Sequence, residues 1–289
     1  MEGGDGDDTY VVSQAVDVVT EVDVVTSATS GTDLVQSFVS GYTLAANVEN
    51  LTLMSLVATG TGNILDNTIR GNNAANLIDG GAGIDEMIGG LGNDTYVVDD
   101  VDDVVTEAAS QGFDTIRSSV TYTASANVEV LQLMTGAGDI DGTGNSLANR
   151  LFGNDGVNNL LGEDGADILD GGLDADILSG GAGADVFKFT SSDVLTVSDE
   201  ITDFVAADDV IQLSKAVFAG FSATGTLAAA NFVTGDGAVS GDAADRIIYD
   251  TTSGKLMYDA DGSGSTTAVE IAQLSTGLTL TNADIVIIA

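Results

Sequence analysis

The stretch Gly80-Gly81-Ala82-Gly83-Ile84-Asp85-Glu86-Met87-Ile88 runs straight into Gly89-Gly90-Leu91-Gly92-Asn93-Asp94-Thr95-Tyr96-Val97, and its reading decides the fold. The rule is a nonapeptide with Gly at position 1, Asp or Asn at position 6 and a large apolar or aromatic residue at position 8. Ten copies obey it: Gly3–Val11, four in unbroken register from Gly62 to Val97, and five from Gly144 to Lys188. Position 6 is filled by Asp8, Asn67, Asn76, Asp85, Asp94, Asn149, Asn158, Asp167, Asp176 and Asp185. A Gly-rich composition does not hold three constraints across ten copies by chance. One copy has a single apolar side chain to bury, so the unit is stable only as a stacked array.

The spacing carries chemistry. Gly at the turns lets the backbone approach an ion closely, and Ca²⁺ takes about six to eight oxygens from carboxylates and carbonyls. Gly80 to Asp85 can offer both. Glu86-Met87-Ile88 reads as a very short strand with Met87 inward. Neighbouring strands lie about 4.8 Å apart, so the turns stack as the strands do. The position-6 acids Asp8, Asp85, Asp94, Asp167, Asp176 and Asp185 are therefore candidate metal ligands. A metal-free β-solenoid with Asn/Asp turns is the competing reading.

The copies Gly80–Ile88, Gly89–Val97 and Gly180–Lys188 match Gly-Gly-x-Gly-x-Asp-x-U-x, and the chain resembles the RTX (repeats-in-toxin) proteins. The resemblance implies an all-β fold: a right-handed parallel β-roll or β-solenoid, two nonapeptides per coil, with Ca²⁺ between turns stacked on one side. On that pattern the Gly162 and Gly180 turns form the one fully acidic pair. Carbonyls of Gly162, Asp164, Gly181 and Gly183 would join Asp167 and Asp185 there. Gly62–Arg70, Gly71–Asp79, Gly144–Phe152 and Gly153–Leu161 instead read Gly-Asn-x-x-x-Asn-x-U-x. A neutral amide is a poorer calcium ligand, and stacked Asn side chains can form a ladder. Fewer ions than Asp repeats are expected.

Composition narrows the function. Over 289 residues, 7 Lys and Arg against 45 Asp and Glu give a formal charge of −38, which repels nucleic acid and anionic membrane surfaces. No apolar run has the length to span a membrane, and no signal peptide is visible. Hydrophobic residues at 44% leave a core available. Without Cys there is neither disulfide nor thiolate metal site, and without His there is no Ser-His-Asp triad. Paired carboxylates could still hydrolyse a glycoside, but no pair stands out among so many. A non-enzymatic protein is expected.

A longer repeat of roughly 80 residues overlies the nonapeptides. Asp8-Thr9-Tyr10-Val11-Val12 returns as Asp94-Thr95-Tyr96-Val97-Val98, Val18-Val19-Thr20-Glu21 as Val104-Val105-Thr106-Glu107, and Asn47-Val48-Glu49 as Asn127-Val128-Glu129. The expected parts are residues 1–61 (a partial repeat and β-rich spacer), 62–97 (first block), 98–143 (second spacer), 144–188 (second block) and 189–289 (C-terminal β-rich cap). The strict copy directly after Met1-Glu2 reads as a cut inside a longer protein; a natural start with one poorly ordered turn is the alternative.

Arg246-Ile247-Ile248-Tyr249-Asp250 and Lys255-Leu256-Met257-Tyr258-Asp259 flank a turn and read as a hairpin. Beyond it, Asp259, Asp261, Ser263 and Glu270 have EF-hand ligand spacing but follow a strand rather than a helix. A lone calcium site and a plain polar turn both remain open there. Residues 189–289, ending Asp284-Ile285-Val286-Ile287-Ile288-Ala289, resemble the C-terminal region of type I secretion substrates. The resemblance implies a secreted or cell-surface protein of a Gram-negative bacterium, with calcium ions and the type I secretion apparatus as partners. It would pass the exporter unfolded and fold on calcium outside. Two alternatives stand beside this: a segment of a surface-layer protein or adhesin that self-associates or attaches to cells, and the non-catalytic tail of a secreted hydrolase or epimerase.

Overall fold

A computed structural model describes residues 1–21, 31–263 and 266–289. Residues 22–30 of the first spacer and Gly264 and Ser265 of the C-terminal loop lie outside the described residues. The chain divides into two compact units, Met1–Leu131 and Gln132–Ala289, and the division falls within the second spacer. Each unit is a parallel β-solenoid, and helix among the described residues is confined to short 3-10 turns.

The nonapeptide makes a strand only three or four residues long. Side chains alternate across a strand, so position 8 points inward while positions 7 and 9 point out. Ile69, Ile78, Met87 and Tyr96 are fully buried in the first block, as are Leu151, Leu160, Leu169, Leu178 and Phe187 in the second. Burying a side chain of this size contributes about 1.5–3 kcal/mol. The turns between are too short to do anything but reverse the chain.

In the first unit, successive repeats go alternately to two sheets. One sheet runs Thr9–Val12, Leu34–Ser37, Asn50–Leu53, Thr68–Arg70, Glu86–Ile88 and Val104–Thr106, all parallel. The other contains Tyr42–Thr43, Thr59–Thr61, Leu77–Asp79, Thr95–Val98 and Thr115–Ser118. Register is strict: Ile69 stands over Met87 and Ile78 over Tyr96, 18 residues apart, so two nonapeptides make one coil. Spacer residues take up the same ladder, Tyr10 pairing Val35 and Val35 pairing Leu51. Ser37 and Ser118 are buried at strand ends, each hydroxyl donating back to its own turn, to Val39 and Val120 carbonyls.

In the second unit Leu151, Leu169, Phe187 and Ile211 form one inward column and Leu160, Leu178 and Ile201 another. The solenoid continues past Lys188. Val210–Ser214 extends the first sheet, and the C-terminal strand Ile285–Ile288 pairs parallel beside it. Antiparallel pairing enters at the end of the stack. Gly225–Thr226 covers Ile285–Ile288; in the other sheet Val269–Gln273 pairs with the Lys255–Tyr258 arm of the expected hairpin, Ile247–Asp250 is its second arm, and Phe232–Gly235 lies parallel at the edge. Such a cap protects edges that would otherwise template further strands. Phe218 packs edge-on against Tyr258 at 5.1 Å and Phe187 lies 5.9 Å from Phe204, filling the last layers of core.

Candidate metal centre

Glycine is required where the turns stack. Gly181 has φ +91°, and a Cβ there would run into the Glu163 carbonyl of the coil below; Gly183 stands in the same way over the Gly165 carbonyl. The two turns are tied by Ala182 N–H to Glu163 O at 2.8 Å and Gly165 N–H to Ala182 O at 2.9 Å. The spacing thus brings together the acidic pair expected of the Gly162 and Gly180 turns.

Asn and Asp at position 6 behave differently. In the neutral copies the side chain closes its own turn: the position-2 N–H donates to the position-6 Oδ1, Asn63 to Asn67 at 2.7 Å, Asn72 to Asn76 at 2.8 Å, Asn154 to Asn158 at 2.8 Å. The NH₂ group donates to carbonyls of the preceding coil, as from Asn76 to Val57 at 2.7 Å. Every polar atom of the Asn76 side chain is satisfied by the chain itself.

The acidic copies are not self-sufficient. Oδ1 of each accepts the position-6 N–H of the coil before: Asn67 to Asp85, Asn76 to Asp94, Asn149 to Asp167 and Asn158 to Asp176, at 2.7–2.8 Å, and Asp167 to Asp185 at 2.8 Å. The second oxygen lies against the position-1 glycine. For Asp85, Asp94, Asp167 and Asp176 this Oδ2 is buried without a hydrogen-bond partner. An unpartnered buried carboxylate oxygen is costly, and it asks for a proton or a cation. Desolvation accordingly pushes Asp85 and Asp94 up to about 6, Asp167 to about 7 and Asp176 to about 8, with acidic neighbours adding to the rise. Asp185 moves in the same direction for the same reason.

A hard cation fits this donor set: anionic oxygens, glycine-lined turns that bring backbone close, and no Cys or His to prefer a softer metal. Asp8 is the exception among the repeats, its Oδ2 accepting from Gly4 N–H at 3.1 Å. The C-terminal loop is built otherwise. Asp259 is buried and accepts from Asp261 N–H at 3.1 Å, Asp261 Oδ2 accepts from Thr266, and Ser263 N–H bonds the Asp242 carbonyl. Glu270 lies on the strand Val269–Gln273 and pairs with Lys255 at 2.5 Å. The structure does not draw these four into one acidic cluster; among the described residues the close carboxylate groups are Asp8, Glu21, Asp33 and Asp94, Glu107, Asp114.

Sequence spacing did not single out four further acids that join the same ladder, two in the second spacer and two in the C-terminal region. Asp103, Asp114, Asp199 and Asp209 each accept a position-6 N–H from the coil before, 18 to 24 residues back, at 2.8–3.0 Å. Their one signal was an Asp at roughly coil distance after the last Asp repeat, blurred by loops of unequal length.

Stacked parallel coils whose turns present partnerless carboxylate oxygens define an acidic β-solenoid suited to binding cations. The family described as the RTX calcium-binding nonapeptide repeat (4 copies) matches residues 61–96 and 143–187, the two blocks read above. Over those residues the chain carries RTX calcium-binding repeats, and Ca²⁺ is the ion such repeats bind. Such repeats are typically structural, non-catalytic modules of secreted or extracellular bacterial proteins. No match to a curated protein was found.

Proposed function

We propose that this chain is a non-enzymatic folding switch of a secreted protein: expanded without calcium, and closed into its solenoid once calcium bridges the acidic turns. One observation carries the reading. The buried Oδ2 atoms of Asp85, Asp94, Asp167 and Asp176 have no partner, while their Asn counterparts are satisfied internally. With −38 formal charges, the metal-free coils repel one another as they stack. A site held at about 100 times its dissociation constant adds about 2.7 kcal/mol to folding. A few sites equal the stability of an ordinary domain, about 5–15 kcal/mol.

The liganding residues on this reading are Asp85, Asp94, Asp167, Asp176 and Asp185, with Gly162, Asp164, Gly181 and Gly183 supplying carbonyls at the doubly acidic pair. Passage through a type I exporter before folding suits a chain that stays open at low calcium. The C-terminal Ile285–Ile288 strand pairs into a sheet once folded, so an exporter would read it beforehand. The test is a calcium titration of the metal-stripped chain by far-UV circular dichroism, with magnesium as control. A cooperative coil-to-β transition with Ca²⁺ alone is expected. A spectrum already β in chelator at neutral pH, and indifferent to calcium, would sink the switch.

A further inference from the structure

Where the first repeat block gives way to its spacer, the coil after Asp94 lacks the first two glycines of a repeat turn and keeps only Gly112, stacked on the Gly92 carbonyl. Glu107, 18 residues after the position-1 Gly89, takes the place a turn glycine would have. Asp114 takes the position-6 role, accepting Asp94 N–H at 2.8 Å. One carboxylate oxygen from each of Asp94, Glu107 and Asp114 lies within 4.8 Å of the others, and all three residues are more than nine-tenths buried.

Three buried carboxylates would ordinarily be relieved by basic residues. Here the Tyr96 hydroxyl donates to Glu107 Oε1, and no basic side chain pairs with Glu107 among the described residues. Glu107 Oε2 and Asp94 Oδ2 are both buried with no partner at all. Gly89 borders the same spot, where a Cβ would meet Asp94 Oδ2 and the Tyr96 hydroxyl. Two partnerless oxygens in one pocket repel unless a cation sits between them. Oxygens on opposite sides of one Ca²⁺ are about 5 Å apart, which suits the observed spacing.

The arrangement occurs twice. Asp8, Glu21 and Asp33 also place carboxylate oxygens within 4.8 Å of one another, the Tyr10 hydroxyl donates to Glu21, and Asp8 N–H donates to Asp33 Oδ1 at 2.8 Å. In both copies the ladder goes one acid further, from Asp33 N–H to Glu49 and from Asp114 N–H to Glu129, at 2.8 and 2.7 Å. A tyrosine, an aspartate, a glutamate and a second aspartate thus recur together on the longer repeat.

We propose that Asp94, Glu107 and Asp114 form a tri-carboxylate calcium site at the block-to-spacer junction. It rests on the calcium chemistry of the reading above and adds Glu107 where a repeat turn has its first glycine. The site would fasten the second spacer's first coil to the repeat before it.

The experiment uses the full metal-stripped chain and the variant Glu107→Gln. A Gln keeps the acceptor for the tyrosine hydroxyl and puts an NH₂ donor where the partnerless oxygen was, so the coil stays closed. Bound Ca²⁺ is counted by calorimetry, and Tb³⁺ luminescence is excited through tyrosine, the sole efficient donor in a chain without Trp. Glu107→Gln should lose one bound ion together with the Tb³⁺ emission sensitised through Tyr96. An unchanged ion count overturns the proposal. Tyr96→Phe serves as a check that keeps every carboxylate: it should hold the ion count and lower the emission, and unchanged emission also overturns it. Asp167→Asn/Asp185→Asn tests the repeat turns separately; a count that falls there but not in Glu107→Gln leaves the switch standing and removes only the junction site.

Discussion

Replacing Asp176 by Asn should make the metal-free protein more stable and the calcium-loaded protein less so. Asp176 is 2% exposed, and Oδ1 takes the Asn158 N–H at 2.8 Å while Oδ2 has no partner. Asn keeps the acceptor for Asn158 and turns the orphan oxygen into a donor. Burial raises the folded carboxyl from 3.8 to about 8, so its neutral form is the one the metal-free fold prefers. The stability this group contributes is full below about pH 4 and is lost as pH rises toward 8. By pH 7 the loss spans about 3 pH units at about 1.4 kcal/mol each, or about 4 kcal/mol. Discounted for solvent reaching the turn, the figure is on the order of 2 kcal/mol. The assay is circular dichroism of chelated wild type and Asp176→Asn from pH 4 to 8, with urea titrations wherever both are folded. The two should coincide at pH 4, and the variant should hold its β-signal to higher pH. In saturating calcium at pH 7 the order should reverse. A variant weaker than wild type at pH 7 in chelator, or a chelated wild type no more folded at pH 4 than at pH 7, refutes the reasoning.

Three further outcomes are expected. Gly181→Ala forces a Cβ toward the Glu163 carbonyl at φ +91°, and should cost about 1–3 kcal/mol in urea unfolding of the calcium-loaded chain; an unchanged midpoint would mean the turns do not stack as described. Leu169→Ala, in the inward column between Leu151 and Phe187, should cost about 2–5 kcal/mol by the same measurement. Glu270→Gln breaks an ion pair with the half-exposed Lys255 and should change stability by less than about 1 kcal/mol with the ion count intact. A drop in bound calcium there would make the Asp259 loop a metal site after all.

The sequence by itself determined the coil. Gly at position 1 and an apolar residue at position 8, repeated every nine residues, leave one inward side chain per strand and one stacking that buries it; Ile69 over Met87 and Leu169 over Phe187 follow directly. It also separated Asn copies from Asp copies, since an amide and a carboxylate differ in what they can bind without help. What it did not determine is which acids face each other. Asp94 meets Asp114 across 20 residues and Asp185 meets Asp209 across 24, because the intervening loops vary in length while the strand ladder does not. Glu107 was legible as part of a longer repeat, but its place beside Asp94 depends on the next coil lying directly on the last. The Asp259 loop shows the opposite: a ligand spacing written plainly in the chain, whose Glu270 the antiparallel pairing of Lys255–Tyr258 with Val269–Gln273 brings beside Lys255 instead. Spacing along a chain fixes neighbours only within a regular element; between coils, contact is fixed by where the loops let the strands come to rest.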